Sequence, residues 1–192
     1  MHKVSAFIFL SLISLAFSLP NKALQEGVSE KIASNHFHNL YQVSDGLYRS
    51  EQPSKKGMKE VEALGIKSIL NLRRHKTDEK KLKDSDLHLD RIPLKAALLN
   101  EEDVFTALSL IDRAEKPLLV HCWHGSDRTG AIVAAYRMVF DNWSKERAIA
   151  EFTEDRFGYH KSRFPNLITL LKDLNVKALQ KKLGQESRSG RE

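Results

Sequence analysis

Apolar and polar residues change rhythm along the chain, and the changes mark out alternating strands and helices. Tyr41-Gln42-Val43 and Leu47-Tyr48-Arg49 flank Asp45-Gly46, a pair that favours a tight turn, so the segment predicts a strand–turn–strand hairpin. Residues 56–64 form a short amphipathic pattern stopped by Gly65, which can adopt the left-handed conformation that ends helices. Residues 66–72 predict a strand buried on both faces, because apolar residues occupy both parities. Residues 76–86 carry four lysines and four acids, which predicts a surface loop or an exposed helix. Residues 87–94 predict another strand, ended by Pro93.

Further on, Val104, Phe105, Leu108 and Ile111 have the spacing of a helix face within residues 101–114. Pro117 ends that helix, and residues 118–121 read as a strand. Residues 129–140 and 144–153 predict consecutive helices, with Ser144 as N-cap of the second. Phe164-Pro165 opens a last helix with Leu167, Leu170, Leu171 and Leu174 on one face. This order predicts an α/β fold with a short, mostly parallel central sheet flanked by helices.

The ends of the chain add a compartment. Lys3 precedes an apolar or small run over residues 4–17, and Ala16-Phe17-Ser18 supplies the small residues a signal peptidase prefers. About 14 residues fall short of the roughly 20 that span a bilayer. The expectation is a signal peptide over 1–18, cleaved near Ser18, giving an exported protein, periplasmic or secreted, with no stable membrane insertion. A loose polar arm over 19–38, a domain over 39–183 and a flexible basic tail over 184–192 complete the division. With 31 Lys and Arg against 25 Asp and Glu, the net charge of +6 attracts anions. No aromatic interleaving or nucleic-acid module accompanies the basic clusters, so nucleic acid is not expected as a partner.

The candidate chemistry lies in His121-Cys122-Trp123-His124-Gly125-Ser126-Asp127-Arg128-Thr129-Gly130, between a predicted strand and a predicted helix. Cys122 is the single cysteine, so the chain has no internal disulfide. A strand turning tightly into a helix aims backbone N–H groups at one point, the positive end of the helix dipole, and makes an anion nest. The same field favours a thiolate. Arg128 offers a guanidinium fork for two phosphate oxygens, and Thr129 a hydroxyl beside the sulfur.

The run resembles the signature of the protein-tyrosine and dual-specificity phosphatases: His-Cys, five residues, Arg, Ser or Thr, then Gly. Residues 39–53 and 65–73 look like small bacterial dual-specificity-like members, and the inositol-phosphate phytases of the same superfamily are related in outline. The resemblance implies a phosphocysteine intermediate on Cys122, phosphate held by Arg128 and the loop amides, and no metal or cofactor. Trp123, His124, Gly125, Ser126, Thr129 and Gly130 become expected substrate-binding positions, with His121 orienting the loop. Lys95 would suit a second phosphate.

The family also implies an acid on a mobile loop before the cysteine, to protonate the leaving oxygen. Here residues 93–100 carry no carboxylate, and Asp90 falls inside a predicted strand. Asp127, next to Arg128 as in the myotubularin and Sac-type loops, is the expected acid, with Glu101 or Glu102 as alternatives that would otherwise cap a helix. The expected substrate is an inositol phosphate or, alternatively, a phosphoprotein. A rhodanese-type sulfurtransferase also places a cysteine loop after a strand, but the Arg-Thr-Gly exit argues against it.

Overall fold

A short strand, β1 (Glu30–Lys31), opens the part of the chain that the computed structural model describes, residues 27–189. The expected signal segment lies outside those residues. Strand β1 pairs antiparallel with β2 (Tyr41–Ser44), which returns through Asp45-Gly46 into β3 (Leu47–Ser50) as the pattern predicts. Helix α1 (Lys55–Ala63) follows, capped by the Ser54 hydroxyl accepting from Gly57 N–H, and ends at Gly65 with φ +76°. Then come β4 (Ser68–Arg73), β5 (His88–Leu94), α2 (Glu101–Arg113), β6 (Leu118–His121), α3 (Asp127–Val139), α4 (Lys145–Phe152), α5 (Asn166–Asp173) and α6 (Val176–Ser189).

The six strands form one sheet in the order β1-β2-β3-β6-β4-β5. Pairings from β3 outward to β5 are parallel, and those among β1, β2 and β3 antiparallel. Alternation along the central strands divides the core. Ile69 and Leu119 face a layer made by α1, Phe37, Leu40, Met58 and Val61. Leu70, Leu72, Leu118 and Val120 face the larger layer, built with Leu108, Ile132, Val133 and Met138 of α2 and α3. Pro93 does not end β5, which runs on to Leu94; this is an edge strand, where a missing N–H costs least.

Three expectations are corrected. The described part of the arm is tied down rather than loose. Ser29 donates to Glu151 Oε1 through its N–H (3.0 Å) and hydroxyl (2.8 Å), and Arg137 grips the same carboxylate at 3.1 and 3.2 Å. Burial opposes the Glu151 charge, but Arg137 outweighs it and holds the carboxyl below its usual range. Second, the charged stretch 76–86 is not all surface: Asp78 and Leu82 are buried around a 3₁₀ turn, Glu79–Lys81. Third, the last helix is two, broken where Leu174 turns extended; Leu179 and Leu183 of α6 pack into the core, and the helix continues past residue 183 to Ser189.

Removing one member of a buried ion pair strands the other charge. Glu151→Ala therefore costs about 3 kcal/mol or more, read as a lower urea midpoint, with the β1 amides losing hydrogen-exchange protection first.

Candidate active site

Between the end of β6 at His121 and the start of α3 at Asp127, the chain makes a loop in which each carbonyl from Cys122 to Gly125 is engaged. The Cys122 carbonyl faces His121 Nδ1 at 3.1 Å, and the Trp123 carbonyl accepts from Gln52 N–H at 2.9 Å. The His124 carbonyl accepts from Asn39 Nδ2 at 2.7 Å, and the Gly125 carbonyl from Arg49 Nη2 at 2.8 Å. In a trans peptide the N–H points opposite to its carbonyl. The N–H groups of Trp123, His124, Gly125 and Ser126 are therefore turned the other way, into the concave side of the loop, where α3 begins.

Gly125 makes the turn possible. Its φ is +72°, and a Cβ there would stand 2.5 Å from the Ser50 carbonyl carbon and 2.6 Å from Glu51 N. Behind it lies Arg49, fully buried, its guanidinium 4.1 Å from the Phe157 ring centroid, with Nε and Nη1 lacking protein partners. Burial pushes the Arg49 pKa down to about 10, against the pull of Glu151 and Cys122, so the group is still cationic at neutral pH. Neither Arg49, Asn39 nor Gln52 was assigned a role from sequence. All three fall in the 39–53 stretch that carried the family resemblance, which was the available signal.

His121 is buried, with Nε2 2.9 Å from Asp78 Oδ2 and Nδ1 on the Cys122 carbonyl. The ring thus bridges the Asp78 carboxylate and the backbone of the loop. Asp78 also accepts from Lys81 Nζ (2.8 Å), Asn71 Nδ2 (2.6 Å) and Gln52 Nε2 (2.5 Å). Burial works against the Asp78 charge, but hydrogen bonds and the charges of His121 and Lys81 bring its pKa to about 2. The expected orienting role of His121 thus has a carboxylate anchor that sequence reading missed, because Asp78 sits in a run that looks solvated.

Arg128 Nη1 donates to the carbonyls of Leu72 and Leu94, both at 3.3 Å, which sets the guanidinium at the C-terminal ends of β4 and β5. Its Nε and the Thr129 hydroxyl are buried without a partner among the described residues. Arg73, held to Gln52 Oε1 at 3.1 Å, lies with its guanidinium 5.2 Å from the Trp123 ring centroid. Burial and the neighbouring Arg128 charge press its pKa down. Trp123 is 59% exposed and stacks on His124, centroids 5.0 Å apart.

The remaining expected residues divide. Asp127 opens α3 with its carboxylate engaged: Oδ1 accepts from His160 N–H at 2.9 Å, and His160 Nδ1 lies 3.1 and 3.0 Å from its two oxygens. Ser126 is buried as the residue before α3, its hydroxyl donating to the His124 carbonyl at 3.4 Å. Gly130 is packed closely. Its N–H goes to the Ser126 carbonyl, and a Cβ there would meet Phe152 at 2.6 Å. Lys95 is exposed at the end of β5, ahead of a 3₁₀ turn, Ala96–Leu98. Glu101 and Glu102 lie in the first turn of α2, but the cap is Asn100 with Asp103. Glu102 pairs with Lys182, and Glu101 accepts from Asn175 N–H, so both face α6 and its approach.

The catalytic domain of the dual specificity phosphatases matches residues 47–173. Over 122 residues the chain is 31% identical to the dual specificity protein phosphatase TpbA of Pseudomonas aeruginosa, covering 62% of this chain and 56% of that protein. It is 27% identical over 126 residues to the inositol diphosphatase DSP3 of Arabidopsis thaliana, covering 61% and 62%. The match thus spans a little over half the length of these relatives. The crystal structure of P. aeruginosa TpbA superposes with a TM-score of 0.74 at 25% identity, over 83% of this chain and 98% of that one. The core catalytic domain of the PP-IP phosphatase SIW14 from S. cerevisiae shares the fold, with a TM-score of 0.69 at 22% identity over 81% and 96%.

The Asp78 anchor has a pH signature. Its folded pKa of about 2 lies below the usual 3.8, so its contribution is complete above that value and is lost as pH falls from there towards 2. At roughly 1.4 kcal/mol per unit, that is on the order of 2 kcal/mol. Urea denaturation of Asp78→Asn should show lower stability than the parent at neutral pH, with the gap narrowing across that acid window.

Proposed function

Because the chain belongs to the dual-specificity phosphatase family, with its catalytic domain at residues 47–173, we propose that it hydrolyses phosphomonoesters with Cys122 as nucleophile. The observation that carries this reading is the loop around Cys122, with four carbonyls engaged on one side and the matching N–H groups turned to the other. Arg128 Nε and the Thr129 hydroxyl bring further unspent hydrogen-bonding capacity to the same place. A phosphate dianion is a ligand that would take up several such donors at once.

The chemistry follows from that arrangement. The Cys122 sulfur attacks phosphorus opposite the leaving oxygen, and an S–P bond forms as the P–O bond breaks. Arg128 and the amides hold the equatorial oxygens, whose charge they neutralise as the transition state develops. The electron pair departs with the leaving oxygen, which takes a proton from Asp127, paired with His160 at the loop edge. Water then attacks phosphorus and gives its proton to the same pair. The sulfur leaves as thiolate, helped by the Thr129 hydroxyl. This route calls for no metal or cofactor.

An inositol phosphate is the substrate class we favour. Arg73 stands close enough to Arg128 to feel its charge, so the mouth carries a second cation beyond the one that grips the reacting phosphate. A substrate with several phosphates uses both. Among the relatives, DSP3 is named as an inositol diphosphatase and TpbA as a protein phosphatase. The exposed Trp123 ring favours the second reading, since it could flank the ring of a phosphotyrosine. Export remains part of the proposal on the strength of residues 4–17; no described helix is long and apolar enough to cross a membrane.

Phosphate release from a panel of inositol phosphates and phosphotyrosine peptides tests the reading. Wild type should turn over the inositol phosphates with the higher kcat/KM, and Cys122→Ser should turn over none; activity surviving in Cys122→Ser refutes the mechanism. Asp127→Asn should lose about a hundredfold on alkyl phosphates and much less on p-nitrophenyl phosphate, whose leaving group needs no proton. Equal losses on both would remove Asp127 from the proton-donor role.

A further inference from the structure

At the outer edge of the loop, His124, Asp127 and His160 converge. Each offers one ligand atom, and the three atoms lie within 4.8 Å of one another. They come from separate places: His124 from the loop, Asp127 from the first position of α3, and His160 from beyond the left-handed turn at Gly158. That turn is itself fitted to the loop, since a Cβ on Gly158 would lie 3.2 Å from the Ser126 hydroxyl. The Phe157 carbonyl shares Asn39 Nδ2 with the His124 carbonyl, at 3.4 and 2.7 Å, which ties the segment and the loop to one side chain.

Two of the three ligands already stand close to the spacing of a tetrahedral ion's ligands. Two ligands at about 2.0–2.1 Å from such an ion stand roughly 3.3 Å apart. The Asp127 oxygens and His160 Nδ1 are 3.0 and 3.1 Å apart, a few tenths of an ångström from that separation. The His160 backbone N–H fixes Asp127 Oδ1 at 2.9 Å, an orienting bond of the kind that supports metal ligands. The third ligand, His124, is exposed, with its ring centroid 5.4 Å from that of His160. Two imidazoles and one carboxylate suit a borderline cation such as Zn²⁺; Mg²⁺ and Ca²⁺ prefer oxygen shells.

We infer that His124, Asp127 and His160 form a binding site for a divalent cation of the zinc class, and that its occupation inhibits the enzyme. The ion displaces the proton shared between His160 Nδ1 and Asp127, releasing it to solvent. It takes Asp127 out of proton transfer and pins the 158–160 segment across the loop edge. Only the inhibitory consequence rests on the phosphatase reading; binding does not.

Zn²⁺ binding is therefore measured on Cys122→Ser protein, which has neither thiolate nor turnover, by competition with a chromophoric chelator. The expected result is one Zn²⁺ per chain and no competition by Mg²⁺. His160→Ala or His124→Ala, added to Cys122→Ser, should weaken binding by at least about tenfold while the circular dichroism stays that of the parent. Loss of binding in Cys122→Ser alone, or unchanged binding in the histidine variants, overturns the site. In wild type, Zn²⁺ should slow phosphate release over the concentrations at which it binds. Binding without any slowing overturns the inhibition and leaves both the site and the phosphatase reading standing.

Discussion

Turning successive amides to one side of a loop requires its carbonyls to turn to the other, and here that requirement organises the surrounding structure. Each carbonyl from Cys122 to Gly125 is engaged by a different element: the end of β6, the chain after β3, the segment before β2, and β3 itself. No local sequence preference could hold four successive peptides in this orientation. Three donors come from residues about 70 or more positions away along the chain, the fourth from the neighbouring ring. The loop is thus only as well formed as the packing of β3 and β6 side by side, and the parallel pairing of these strands is what sets the cradle.

Buried charge is the cost of that arrangement. Arg49 reaches the Gly125 carbonyl from inside the protein and leaves two of its nitrogens unpaired, while an aromatic face supplies part of the lost hydration. Asp78 and His121 are fully buried too, but compensate each other and are fenced by Lys81, Asn71 and Gln52. Such groups rarely repay their desolvation as stability. Their value is positional: they put charge beneath the loop and hold its peptides in place.

The rim differs in kind from the floor. Trp123, His124, His160 and Arg73 are wholly or partly exposed and touch one another through rings and guanidinium, with His160 also bound to Asp127 and Arg73 to Gln52. A rigid floor with an adaptable rim fits a division of labour in which the reacting phosphate is gripped and the rest of the substrate is only sampled.

The order of strands and helices, the hairpin at Asp45-Gly46, the helix stop at Gly65, the Ser144 cap and the loop itself could all be read in the sequence, because each rests on short-range spacing or turn chemistry. Cys122, Arg128 and Thr129 stood out for the same reason: their offsets are local. Asp78, Arg49, Asn39 and His160 became site residues only through tertiary structure. Each acts on the loop across a gap in sequence that periodicity cannot bridge, and Asp78 sits in a run whose charge reads as solvent-facing. The sequence by itself determined that a cysteine and an arginine would share one turn between strand and helix. Tertiary packing decided which way the peptides of that turn face, because a carbonyl turns outward only where a distant donor waits to receive it.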